Sequence, residues 1–272
     1  MSFAGALGIE VLMANVLATT KKAGHQVNGQ TLPSGRRTDA RGKPVSNIVL
    51  LSIPDEEYNS LRPYLEPISL PYRRHLHEPG ERIDFGYFMN GGITSLIIVT
   101  SDGRSVEVCI VGKEGFVGAP LAVGVQRSPY RAVVQMPADG WRIRAAAIAE
   151  VQDSTPHLNL LLNRYAQIQG LQVAQVAACN RLHEIEQRLA RWLLMSQDRV
   201  NSAALPMTHD FLAQMLGTGR PSVTLAAGIL QKAGMIEYTR GSVKIVNRKS
   251  LEEAACECYG VIQNFNGELG LK

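Results

Sequence analysis

The stretch Met207–Val246, MTHDFLAQMLGTGRPSVTLAAGILQKAGMIEYTRGSVKIV, decides the fold. Thr208 is a good N-cap residue, and Leu212, Met215 and Leu216 give a first helix its apolar face at i, i+3 and i+4. Gly217 can take the left-handed conformation that stops a helix. A second helix opens at Arg220-Pro221-Ser222, because proline suits a first turn, where its missing N–H has no partner to lose. Val223, Ala226, Ala227 and Leu230 form its buried side. Arg220, Ser222, Thr224, Leu225 and Gly228 form the other. That outer face is small and hydroxyl-bearing with one guanidinium at its leading end, a composition that close approach to base edges and phosphates requires. From Met235 the period changes to two. It turns at Arg240-Gly241 and resumes over Val243–Val246, which predicts a hairpin with Arg240 and Lys244 at and just beyond its tip, where a DNA-binding wing would lie.

Charge supports the same reading. Between Thr208 and Lys249 stand Arg220, Lys232, Arg240, Lys244, Arg248 and Lys249 against Asp210 and Glu237, a net +4 that equals the formal charge of the whole chain. The remainder is close to neutral, so the excess cation sits where a phosphate backbone would be met.

The segment resembles the C-terminal winged helix-turn-helix of the bacterial Crp/Fnr (cyclic-AMP-receptor-like) transcription regulators, and the likeness runs from Asn180-Arg181-Leu182 through Arg188-Leu189-Ala190 to the hairpin. The resemblance implies that the position of Arg220 reads a guanine and that Thr208, Thr218, Gly219 and Ser222 approach phosphates, while Gly241 turns the wing. Two positions depart from the family pattern: Pro221 replaces an acidic reader and Leu225 a basic one, so the target sequence does not carry over. The expected DNA-binding set is therefore Thr208, Thr218, Gly219, Arg220, Pro221, Ser222, Thr224, Leu225, Arg240 and Lys244. Double-stranded DNA and a second copy of the chain are the expected partners, with RNA polymerase a further candidate.

Working outward, the 272 residues are 45% hydrophobic, enough for two domains with real cores. No apolar run approaches the roughly 20 residues that cross a bilayer, and Met1–Thr20 lacks a basic start, so neither a membrane span nor a signal peptide is expected. Four scattered cysteines are too few for a disulfide framework and fit a reducing cytoplasm. Residues 1–46 read as a flexible arm, of which 21–46 is rich in Gly, Ser, Lys and Arg, with Arg36-Arg37 and Arg41 in a solvated tail. Over 47–150, after an acidic helix start at Pro54-Asp55-Glu56-Glu57, short β-rich runs alternate with turn signals. The turns are Pro79-Gly80, Asn90-Gly91-Gly92, Asp102-Gly103, Gly112–Gly115 and Ala138-Asp139-Gly140. This predicts an all-β barrel or roll, and the resemblance implies a β-roll that serves as an effector domain.

A cyclic-nucleotide site needs backbone amides at a helix start, an arginine for the phosphate and a carboxylate for the ribose. Here the cassette is Gly118-Ala119-Pro120-Leu121, without that carboxylate and with one amide removed by Pro120, while Arg131 offers an anion partner. Gly118, Ala119, Pro120 and Arg131 are thus the candidate effector pocket, and cyclic AMP is disfavoured. Residues 151–179 read as a dimerisation helix whose seam is Leu158, Leu161, Leu162, Tyr165, Ile168 and Leu171, although the chain's own roll is an alternative cover. A break near Cys179-Asn180 separates it from the winged helix-turn-helix domain, 180–250, and 251–272 form a last short helix, Leu251–Tyr259, and a loose tail.

The fold class is therefore α+β: a cyclic-nucleotide-binding-like β-roll, a long dimerisation helix and a C-terminal winged helix-turn-helix. The alternative function is a sensor working through protein contacts with a degenerate DNA-binding domain. Cys256-x-Cys258 lacks a second ligand pair at zinc spacing and reads as one buried and one exposed thiol. His75-x-His77 would place two imidazoles on one strand face without a third ligand. Neither is assigned a metal, and no nucleophile–base arrangement points to catalysis.

Overall fold

The computed structural model describes residues 37–200 and 202–268. Its first elements are helices α1, Ile48–Ser52, and α2, Asp55–Leu61. Strands β1 (Glu66–Leu70), β2 (His75–His77), β3 (Phe85–Met89), β4 (Ile93–Val99), β5 (Ser105–Val111), β6 (Phe116–Val117), β7 (Arg131–Met136) and β8 (Ala138–Arg144) then form two antiparallel sheets. Their orders are β1-β8-β3-β6 and β2-β7-β4-β5. Phe88, Phe116, Trp141, Leu96 and Val111 fill the space between them. Of the barrel or roll that the turn spacing predicts, this is the roll. One turn signal has another cause: Ala138-Asp139-Gly140 lies inside β8. Gly140 is needed there because a Cβ would stand 2.2 Å from the Phe88 carbonyl oxygen on the neighbouring strand.

The arm read over 1–46 is described only from Arg37, and there Arg37, Asp39 and Val45 are buried while residues 40–44, Arg41 included, are exposed. Arg37 is 5% exposed and donates to the carbonyls of Leu50 (2.5 Å) and Ile53 (2.6 Å) and to Asp55 Oδ1 (2.6 Å). Asp39 accepts from the buried Trp141 indole N–H at 3.1 Å. Composition suggested a solvated tail because charged residues are seldom buried; here their hydrogen bonds are met by loop carbonyls and an indole. The remainder of the arm, Arg36 included, lies outside the described residues.

Helix α3, Ala145–Val151, leads to the long α4, Pro156–Leu182. Thr155 makes no side-chain cap. Instead the buried Glu57 accepts from the backbone N–H groups of His157 (3.0 Å) and Leu158 (2.9 Å), and so places a carboxylate at the positive end of α4. The break falls at His183, in extended conformation, three residues beyond the Cys179-Asn180 position read from sequence. Helix α5, Ile185–Val200, begins the C-terminal domain. It continues with β9 (Ala204–Leu205), α6 (His209–Leu216), α7 (Arg220–Lys232), the hairpin β10 (Ile236–Thr239) and β11 (Ser242–Ile245), and α8 (Arg248–Ala254).

The final stretch differs from its reading as one helix and a loose tail. Leu251–Tyr259 is interrupted at Ala255–Glu257, and α9, Cys258–Glu268, packs against α4 and α5. Arg248 reaches back to Asp198 (2.8 Å), to which the Tyr259 hydroxyl also donates (2.9 Å), tying α8 and α9 to α5.

Candidate nucleic-acid interface

The helix-turn-helix is built by local chemistry. The Thr208 hydroxyl accepts from Phe211 N–H at 3.2 Å and caps α6, and Gly217 ends that helix at φ +59°. Val223, Ala226, Ala227 and Leu230 are buried against α5 and α6, while Arg220, Pro221, Thr224, Leu225, Gly228 and Ile229 are exposed along α7. Arg220 points its Nε at Asp210 Oδ1 (3.5 Å), and among the described residues its terminal nitrogens have no hydrogen-bond partner. Those two nitrogens are the pair a guanidinium uses to grip guanine O6 and N7.

Of the other residues read as DNA contacts, Gly219, Arg240 and Lys244 are exposed, and Thr218 and Ser222 are half-buried. Thr224 Oγ1 donates to the Arg220 carbonyl (3.0 Å) and meets His209 Nδ1 (3.0 Å), so its hydroxyl is already engaged within the protein. The +4 counted over this segment includes Arg248, which pairs with Asp198 and Glu252, both at 2.8 Å and outside the stretch counted. Its charge is thereby neutralised away from the α7 face.

Two contributors were not read from sequence. His209 stacks on Tyr238, centroids 3.9 Å apart, and so clamps the start of α6 to the wing. Ile229 is 46% exposed beside Leu225 at 64%, which leaves an apolar strip on the recognition helix. Such a strip suits thymine methyl groups.

The domain is also docked on the roll. Leu189, Trp192, Leu193, Leu212 and Met215 share one buried cluster with Ile93, Ile97, Ile110 and Val133 of the β2-β7-β4-β5 sheet. Gly217 lies so close to β5 that a Cβ would stand 2.9 Å from Val106 Cγ2. Inside the contact, Trp192 Nε1–H donates to the fully buried Glu107 (2.5 Å), and the Ser95 hydroxyl donates to the same carboxylate. Burial pushes the Glu107 pKa up to about 7 despite those two donors. Nearby, Arg199 pairs with the buried Glu114 at 2.8 Å.

Residues 187–254 match the family described as the Crp-like helix-turn-helix domain. The chain is 25% identical over 188 residues to the global nitrogen regulator of Synechocystis sp., covering 65% of this chain and 81% of the relative. It is 26% identical over 184 residues to the transcriptional regulator SdrP of Thermus thermophilus, covering 65% and 86%. Its fold resembles that of a Crp/Fnr-family transcriptional regulator from Eubacterium rectale, with a TM-score of 0.59, 16% identity, and coverage of 74% of this chain and 94% of the other. Residues 187–254 are thus a Crp-like helix-turn-helix domain, and the fold of the chain is similar to that of Crp/Fnr regulators. The relatives and the solved structure it matches are described as regulators, not as enzymes. Among the described residues no helix is long and apolar enough to cross a membrane.

The candidate effector cassette is closely packed. Gly118, at φ +114°, opens a short 3-10 helix over Ala119–Val123, and a Cβ there would stand 3.1 Å from Gly86 Cα. The Phe116 ring fills the space beside Gly86, where a Cβ would come within 2.1 Å of it. Arg131 gives its Nε to Glu78 (2.9 Å), which also binds His75 (2.5 Å). His75 and His77 do not share a face: a bulge between them leaves His75 exposed and turns His77 inward to the Phe85 carbonyl at 2.9 Å.

The seam read on α4 is covered by this chain itself. Leu158, Leu162, Tyr165 and Ile168 are buried, and Leu161 and Leu171 are half-buried. Tyr165 sits over the β5–β6 turn, where a Cβ on Gly115 would lie 2.0 Å from its hydroxyl oxygen. The exposed side of α4 instead carries Leu160, Arg164, Gln167, Gly170, Ala174, Ala177 and Ala178. Cys256 and Cys258, read as one buried and one exposed thiol, are both buried.

Proposed function

We propose that the chain is a transcription regulator that acts as a homodimer on an inverted-repeat DNA site, with α7 of each copy in one of two major grooves about 34 Å apart. Arg220 reads guanine in each half-site, Leu225 and Ile229 meet thymine methyls, and Thr218, Gly219, Arg240 and Lys244 face the phosphates. The observation that carries this reading is the exposed α7 face, with the terminal nitrogens of Arg220 unpaired at its leading end.

The dimer contact lies on the outer face of α4, spaced alternately by three and four residues at Leu160, Arg164, Gln167, Leu171, Ala174 and Ala178, with Gly170 and Ala177 beside it. Small side chains there let two helices approach closely, and a period of 3.5 is that of a two-helix seam. The cassette serves as a structural brace rather than a nucleotide site, because Arg131 is held by Glu78 and Pro120 removes a donor. Control of DNA binding then rests on how the roll holds α5 and α6 relative to α4, a hinge equilibrium that any effector must bias to act.

Selection of binding sites from random duplexes by the full chain tests the proposal. The expected result is a two-fold symmetric consensus with guanine at one position of each half-site, bound by two chains. Recovery of asymmetric sites only, or binding of one chain per duplex, overturns it.

A further inference from the structure

Four potential ligands converge where α4 ends. Cys179 and His183 lie in its last turn and C-cap, Cys256 lies in the link between α8 and α9, and Cys258 begins α9. One ligand atom from each lies within 4.8 Å of all the others. Cys179 Sγ is 3.5 Å from Cys256 Sγ, and Cys258 Sγ is 3.6 Å from His183 Nδ1. Tetrahedral zinc, with bonds of about 2.3 Å to sulfur and about 2.0 Å to nitrogen, spaces its ligand atoms roughly 3.5–3.8 Å apart. The sulfurs are too far apart for a disulfide, whose S–S bond is about 2.05 Å. They are too close for a four-iron cluster, whose cysteine ligands stand around a body several ångströms across.

We infer that Cys179, His183, Cys256 and Cys258 form a closed structural zinc site that fastens the C-terminal helices to the hinge between α4 and α5. This goes beyond the proposed DNA reading and does not depend on it.

The surroundings match the inference in three ways. His183 directs Nδ1 into the cluster and Nε2 to Glu257 Oε1 (3.1 Å), the outer carboxylate contact that fixes the tautomer of a metal-binding imidazole. Gln175 Nε2 donates to Cys258 Sγ (3.1 Å), as an outer partner of a thiolate would. Arg191 supplies the third indication. It is 2% exposed, has only Met195 Sδ within hydrogen-bond distance (3.4 Å), and among the described residues has no carboxylate in ion-pair range. Its charge acts on Cys179 and Cys256. Three thiolates and one neutral imidazole around a divalent ion leave one net negative charge, which gives this buried cation a counter-ion. Binding releases the thiol protons to solvent and changes no oxidation state.

The sequence signal was present but divided. Cys179-x-x-x-His183 is an i, i+4 pair on one helix face, and Cys256-x-Cys258 spans a helix break, where the rule that residues two apart point in different directions does not hold.

The test is metal analysis of the full-length chain, expressed with zinc and purified in reductant without chelator. One zinc per chain is expected, with cobalt exchange giving the visible bands of tetrahedral thiolate coordination. Cys256→Ser and Cys258→Ser each reduce zinc to background, whereas Cys109→Ser, a buried roll thiol, leaves it unchanged. Because serine variants can misfold, His183→Cys supplies the independent arm: four thiolates retain one zinc and shift the cobalt spectrum. Wild-type chain with less than a tenth of an equivalent of zinc, with an iron–sulfur chromophore, or with Cys179 and Cys256 recovered as a disulfide overturns the inference.

Discussion

Glutamate 107 gives the contact between the roll and the DNA-binding domain a pH dependence that can be worked out. It is fully buried between β5 and α5, where desolvation first, against the Trp192 and Ser95 donors, raises its pKa from 4.5 to about 7. The unfolded carboxyl loses its proton near the ordinary value, and the folded one keeps it until about pH 7. Between those values the folded chain therefore binds more protons, so stability is greatest below the unfolded pKa and falls as pH rises through the window. The interval from 4.5 to about 7, at 1.36 kcal/mol per pH unit, makes the loss about 3 kcal/mol, an upper bound because local opening lets water in. Glu107→Gln keeps an oxygen to accept from Trp192 Nε1–H and carries no proton to lose. Urea unfolding followed by tryptophan fluorescence, at pH values from about 5 to about 8, is the assay. The variant should gain on the wild type as pH rises, by up to about 3 kcal/mol at the upper end. A difference between the two that stays constant across this range refutes the reasoning.

Three other outcomes follow from the geometry. Gly217→Ala should destabilise the chain by about 2–3 kcal/mol in chemical denaturation, combining a left-handed backbone penalty of about 1–2 kcal/mol with contact against Val106. Adding Val106→Ala should relieve only the contact part. Ala174→Arg should convert the dimer to monomer in sedimentation equilibrium while leaving helical content unchanged; an undiminished dimer would move the seam elsewhere. Calorimetric titration with cyclic AMP should give no binding heat, since Arg131 is held by Glu78; micromolar affinity would contradict the cassette's role as a brace.

Elements specified by neighbouring residues were legible in the sequence. Thr208 as a cap, Gly217 as a stop and Pro221 in a first turn act within a few residues of themselves, and each stands where its chemistry indicates. The roll was legible for the same reason, except at Gly140, where a glycine required for close approach of strands reads like one required for a turn. What was hidden depends on distant partners. Periodicity along α4 identified an apolar stripe but not its cover, and Tyr165 and its neighbours proved to belong to the chain's own core. Arg37 looked solvated because nothing near it in sequence shows the Leu50 and Ile53 carbonyls that receive it. The Cys179–Cys258 cluster was missed because its halves are separated by the whole DNA-binding domain.

The central claim, that Arg220 reads base sequence from the leading end of α7, is tested most directly by comparing wild type and Arg220→Ala on a selected duplex and on random DNA at one salt concentration. A lost guanine contact is worth about 1–3 kcal/mol per half-site. The account therefore predicts that the specific-to-random affinity ratio falls at least roughly thirtyfold for the two half-sites of a dimer. Affinity for random DNA should decline only slightly, as expected for one phosphate-steering charge among several. If the variant instead weakened both duplexes equally and left the ratio intact, Arg220 would be a phosphate contact and the claim would be contradicted.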